Sequence, residues 1–223
     1  MSRSVADDAN AGQPPHHADH HPDHEVLEVE PAAAAGPLAG DPAILGLIAF
    51  VPGGVSLGLA LTGYTTLNAG LDVFLFCTGL GLLIATIWGA ALGQSAVAAI
   101  FGIFAFFWIT LGIQVTGLAH NWFGPPETMA TVLQTYLIAF IVAFLVLTVT
   151  TLRLPTAFTA IFALVVVALG LVLAFVVSED EIWSTIAGYV VFVFTAIVIY
   201  VLAGAMSLAT GGPAMNLGKP IQS

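Results

Sequence analysis

Charged side chains are scarce in this chain: Asp, Glu, Lys and Arg make up 7% of its 223 residues. Ordinary globular domains carry about 25% charged residues, so the chain lacks the polar side chains that solvate a globular surface. Only three residues are Lys or Arg and could meet phosphates, which argues against a nucleic-acid partner. A single cysteine, Cys77, excludes an intrachain disulfide. An integral membrane protein is the class that remains.

The N-terminal residues differ from the rest in composition. Residues 1–40 are rich in Pro, Ala, His and Asp and contain little to bury, so we expect a disordered cytoplasmic tail. Its histidines include His16, His20 and His24, whose i, i+4 spacing would suit Zn²⁺ on a helix. Neighbouring prolines such as Pro22 oppose a helix, so we expect weak, incidental metal affinity. We therefore expect no functional metal site and no cofactor.

Six apolar runs follow, each close to the roughly 20 residues that span a bilayer. They lie at Ala43–Thr62, Leu71–Ala91, Ala96–Ala119, Ala130–Leu152, Thr156–Val177 and Ile182–Ser207. The predicted fold is therefore an all-α integral membrane protein with six transmembrane helices in residues 41–207. Residues 208–223 are expected to form a short cytoplasmic tail.

The three basic residues indicate the orientation. Arg3 precedes the first span, Arg153 joins spans four and five, and Lys219 follows the last span. An even number of spans puts all three on one face, which the positive-inside rule makes cytoplasmic. We therefore expect a multi-pass protein of the cell membrane with both termini in the cytoplasm.

The first span begins with a strong helix-start signal. Asp41 is a good N-cap acceptor, and Pro42 suits the first helical position, where no backbone donor is needed. Pro52 lies further along and should bend the helix, because it lacks an amide hydrogen and clashes with the preceding turn. Phe50 lies about 13 Å past Asp41, which is near the bilayer midplane.

One face of this span carries small residues around an aromatic ring. Gly46, Phe50, Gly54 and Gly58 follow one another at intervals of four and therefore share a face. Gly54 and Gly58 form a GxxxG pair that allows a second helix to approach closely. Two interpretations of Phe50 fit this pattern: a packing aromatic between tight helices, or a plug in a narrow pathway.

Five short motifs, in matching order and spacing, resemble the acetate uptake transporter (succinate–acetate permease) family. They are DPAILGL at Asp41–Leu47 followed by Phe50, TGY at Thr62–Tyr64, FFW at Phe106–Trp108, TTLR at Thr150–Arg153 and AIVIY at Ala196–Tyr200. The resemblance implies a hexamer of six-helix subunits, each with its own narrow pore for acetate and related carboxylates such as succinate.

The resemblance also implies a hydrophobic constriction built from three odd-numbered spans. By position it falls on Phe50, on Phe104, where the family often has Tyr, and on Val165, where it has Leu. Counted from the apparent starts of the helices at Asp41, Ser95 and Thr156, each residue lies nine positions in, which places all three at one level about 13 Å deep. For Phe104 and Val165, core packing is an equally good interpretation.

The residues exclude some functions and leave others open. The spans contain no Ser–His–Asp set, phosphate loop or paired carboxylates, so we expect no enzyme. A membrane channel or transporter for small monocarboxylates, chiefly acetate, fits best. A channel for neutral solutes such as urea or short amides would also suit spans without buried charge. A non-conducting accessory protein whose histidine-rich tail binds a partner is the third possibility.

Overall fold

The computed structural model describes residues 39–66, 70–124 and 126–222, and for residues 126–129 it describes the backbone alone. The tail expected at residues 1–40 and its candidate metal ligands His16, His20 and His24 lie outside the described residues, apart from residues 39 and 40.

Six long helices make up the described chain. They are α1 (Pro42–Leu61), α2 (Asp72–Ala91), α3 (Ser95–Ala119), α4 (Pro126–Thr150), α5 (Thr156–Ser178) and α6 (Glu181–Ala209), with a 3₁₀ turn at Thr151–Arg153 between α4 and α5. All six are long and apolar enough to cross a membrane, which confirms the predicted fold class. The largest difference in bounds is at α4, which begins at Pro126 rather than at Ala130, because a proline suits the first turn of a helix.

The outer surface of the bundle is apolar. Large side chains such as Ile87, Phe106, Val146 and Val149 are more than half exposed. In water such a surface would drive aggregation, whereas hydrocarbon solvates it at no cost. The outer surface is therefore suited to the interior of a membrane.

The helices form a ring in the order α3, α2, α1, α6, α5, α4, since each packs along the next. The ring closes between α3 and α4, where the helices meet over a much shorter length. Aromatic side chains fill this junction: the Phe107 and Phe140 rings lie 5.3 Å apart, and the Tyr136 hydroxyl donates to the Phe107 carbonyl at 2.8 Å. The ring thus encloses an interior within one chain.

The C-terminal segment packs against the bundle. The Ala157 amide donates to the Leu217 carbonyl at 3.0 Å, and the Gln222 amide donates to the Leu152 carbonyl at 2.9 Å. The first of these bonds satisfies an amide in the first turn of α5, whose N-cap residue makes no side-chain hydrogen bond. The sequence predicts only a short tail here, and the structure shows that this tail caps a helix.

Candidate functional site

The start of α1 is held by a cap and by a close contact with α3. Asp41 is the N-cap residue, and its Oδ1 accepts a hydrogen bond from the Ala43 amide at 2.9 Å. Pro42 opens the helix and is buried. A Cβ atom at Gly46 would lie 2.4 Å from the Phe101 ring, so only glycine allows the ring to pack here. These contacts fix the depth of α1 relative to α3.

Phe50, Phe104 and Val165 lie in the interior of the ring on α1, α3 and α5. All three side chains are 4–5% exposed. The Phe50 and Phe104 rings meet edge to face with centroids 5.2 Å apart. All three helices begin on the same side of the bundle, because they are alternate spans; we call this the Asp41 side and the opposite one the His120 side.

A cavity of about 360 Å³ occupies the interior, and the same three residues contribute to its lining. Five helices enclose it, and α2 is the helix that does not contribute. Beyond Phe104 and Val165 its lining continues along α3 to Ala119 and along α5 to Val176. The cavity therefore lies in the half of the bundle nearest the His120 side, and Phe50, Phe104 and Val165 form its deep end, which we call the floor.

The lining is almost entirely apolar. Of the side chains described around the cavity, only those of Trp108 and Gln114 carry a polar atom, and none is Lys or Arg. An adjoining pocket shares Phe175 and Val176 with the cavity and reaches Glu179 and Glu181 at the surface. The cavity wall thus offers no fixed positive charge, and its approach from the His120 side passes two acidic residues.

An aromatic cluster lies next to the floor. The ring centroid of Phe104 lies 4.8 Å from that of Phe144 and 5.6 Å from that of Phe162. The Phe144 and Phe162 ring centroids are 6.4 Å apart. Phe144 and Phe162 are at most 2% exposed and do not line the cavity. Phe162 precedes Val165 by one helical turn, which places it towards the Asp41 side. Sequence reasoning missed this cluster; the i, i+3 spacing of Phe162 and Val165 is the signal that could have found it.

The face of α1 beyond Phe50 packs against α6. A Cβ at Gly54 would lie 2.5 Å from Thr195 Oγ1, and one at Gly58 would lie 2.7 Å from the Phe192 ring. Pro52 lies inside α1, which continues through it from Pro42 to Leu61. The small residues thus allow the close approach of α1 and α6 next to the floor.

Two further polar residues near the ends of the helices, His120 and Asp72, lie away from the cavity. His120 is exposed and stacks on Trp122 at 5.6 Å between ring centroids. Asp72 is buried and accepts a hydrogen bond from the Thr116 hydroxyl at 2.5 Å. Neither lines the cavity. Within the described ranges, no group of three or more His, Cys, Asp or Glu residues could hold a metal ion.

A family model matches residues 26–212, which includes all six helices. The chain belongs to the GPR1/FUN34/yaaH family. This is the acetate transporter family that the motifs resemble, so the resemblance is confirmed. No curated protein matches the chain.

A solved structure supports the same fold. The bacterial acetate channel SatP is 22% identical in sequence, with a TM-score of 0.72, over 80% of this chain and 99% of that one. At this identity the match shows that the six-helix architecture is shared. Together with the family and the apolar helices, it makes the chain a multi-pass membrane protein of the channel and transporter class.

Proposed function

We propose that this family member conducts small monocarboxylates, acetate foremost, through the cavity and across its floor. The observation that carries the proposal is the floor itself: three buried apolar side chains from three helices, Phe50, Phe104 and Val165, at the deep end of the cavity. A channel that selects small solutes needs such a narrow level, and side-chain size then sets the limit.

The apolar lining decides which solutes suit this pathway. A fixed charge at the bilayer midplane costs several kcal/mol unless water or dipoles accompany it. The described residues of the wall include no Lys or Arg. A solute with two negative charges is therefore attracted no more strongly than one with a single charge. Acetate, with one charge and a methyl group, suits the lining better than a dicarboxylate such as succinate.

We propose one pathway per subunit within a hexamer. The cavity is enclosed by five helices of a single chain, so a second copy is not needed to complete it. The hexamer is what the family resemblance implies. It can be tested by measuring the mass of the purified oligomer in detergent, which should be that of six chains.

We also propose that the Asp41 side faces the cytoplasm of the cell and that the cavity opens outward. Arg153 and Lys219 are both near the start of α5, and the positive-inside rule assigns such residues to the cytoplasm. Single cysteines at Ser4, Asp180 and Ser223 in a Cys77→Ala background test this. Only the cysteine at Asp180 should react with an impermeant reagent in intact cells; labelling at Ser4 or Ser223 would reverse the orientation.

The test of the function is uptake by proteoliposomes of the purified protein. Labelled acetate should enter far faster than into protein-free liposomes, and urea should not. Repeating the measurement with and without an imposed pH gradient separates passive from proton-coupled transport. Faster urea than acetate uptake would identify a neutral-solute channel, and the absence of any uptake would favour an accessory protein.

A further inference from the structure

Two buried polar atoms beside the floor have no hydrogen-bond partner among the described residues: Trp108 Nε1 and Thr195 Oγ1. Both side chains are at most 2% exposed. Buried polar groups are nearly always paired, so each exception requires an explanation. A third unpaired atom, Thr78 Oγ1, packs against Gly53 from α2, the helix that does not line the cavity, and is set aside.

Trp108 combines an unpaired donor with a place in the cavity wall. It lies on α3, lines the cavity, and packs edge to face against Phe50 with ring centroids 5.5 Å apart. The indole N–H can donate a hydrogen bond but cannot accept one. Any partner that reaches it must therefore offer an acceptor, and a carboxylate oxygen is a strong one.

Thr195 differs from other hydroxyl residues of the bundle. Thr62, Thr86 and Thr148 donate to the carbonyl four residues earlier, the usual arrangement inside a helix. The Thr195 hydroxyl makes no such bond and instead lies against α1 at Gly54. The position of a Cβ on Gly54 is 2.5 Å from this hydroxyl and 3.2 Å from the edge of the Phe50 ring. The glycine thus leaves space for a hydroxyl next to Phe50, but Thr195 does not line the cavity and is set aside as well.

We propose that the Trp108 indole N–H donates a hydrogen bond to a carboxylate oxygen as the solute passes Phe50. This rests on the proposed function, since it assumes that the solute crosses the floor. The donor replaces part of the water that the solute loses between apolar rings. Because Trp108 can only donate, it favours a carboxylate, which only accepts, over an amide, whose NH₂ group needs an acceptor. Trp108 is thus a specificity determinant in a wall that otherwise selects by size.

The test compares acetate with acetamide, a neutral solute of similar size, in proteoliposomes corrected for leak through protein-free liposomes. Trp108→Phe keeps an aromatic ring and removes the N–H. Loss of a bond to a charged acceptor should lower acetate permeability about tenfold in Trp108→Phe. Acetamide permeability should fall much less, because bonds to neutral acceptors are weaker. Trp183→Phe, on an exposed residue of α6, is the matched control and should change neither solute.

A direct measurement covers the case in which a variant fails to fold. The chain has four tryptophans, so protein labelled with ¹⁵N-tryptophan should give four indole resonances. Titration with acetate should move the Trp108 indole proton downfield and leave that of Trp183 in place. An acetate-to-acetamide ratio unchanged in Trp108→Phe, or a Trp108 resonance that does not move, would overturn the proposal. Wild-type protein that conducts no acetate would instead overturn the proposed function.

Discussion

Phe50 provides the sharpest test of the pathway, through its replacement by alanine. The ring contacts Phe104, Trp108 and Phe194 with centroids 5.2, 5.5 and 6.1 Å apart. If the ring limits solute size, its removal widens the floor and admits butyrate. Butyrate has two more methylene groups than acetate, each worth about 0.8 kcal/mol in an apolar environment. Once the steric barrier is gone, this gain of about 1.6 kcal/mol should raise the butyrate-to-acetate flux ratio roughly tenfold.

The same substitution has a different result if Phe50 only packs the core. A Phe→Ala change then costs roughly 3–5 kcal/mol of stability and leaves the selectivity as it was. The assay is therefore the flux ratio in proteoliposomes, normalised to folded oligomer, with thermal stability measured in parallel. Phe104→Ala and Val165→Ala should raise the ratio as well. Phe175→Ala, which removes the same ring from the lining near the His120 side, is the control and should not. An unchanged ratio in all three floor variants, with reduced stability, would refute the constriction.

Three further predictions concern other parts of the chain. Deletion of residues 1–37 should leave acetate flux nearly unchanged, because α1 begins with its own cap; loss of most flux from assembled protein would show that the tail takes part. Asp41→Ala should lower the free energy of unfolding by about 1 kcal/mol through loss of the cap, and Asp41→Asn should restore it, as denaturation in detergent can show. Glu179→Gln and Glu181→Gln should each raise acetate permeability about twofold at low ionic strength, because two like charges repel each other by about 0.4 kcal/mol at a separation of about 10 Å in water, and 1 M salt should abolish the difference.

The fold could be predicted from the sequence because each helix carries its own signal. Apolar length defines the spans, and Asp41–Pro42 defines the start of α1. The turn between α2 and α3 contains no charge, but Gly93 there adopts a positive φ of 72°, which glycine tolerates best. The packing of the C-terminal segment could not be predicted, because it depends on backbone hydrogen bonds between distant residues, such as Ala157 and Leu217, that leave no periodic pattern.

The candidate site could be predicted only in part. Depth counting from each helix start places Phe50, Phe104 and Val165 at one level, and the structure gathers them at the deep end of one cavity. Phe144 and Phe162 were missed because, in a chain with 15 phenylalanines, an inward ring and a lipid-facing ring look alike. Which face turns inward depends on the order of the helices around the ring, which apolar composition does not specify.

On the proposed pathway, the position of Trp108 would give the floor two roles. An anion that leaves water loses the hydrogen bonds of its carboxylate, and apolar rings such as Phe50 cannot replace them. Wide pores avoid this cost by keeping the solute hydrated, but a floor that discriminates by size must exclude water. A donor is therefore most useful at the narrow level, and Trp108 lies beside Phe50 there. The same level can then reject solutes that are too large, through the rings, and solutes that need an acceptor, through Trp108.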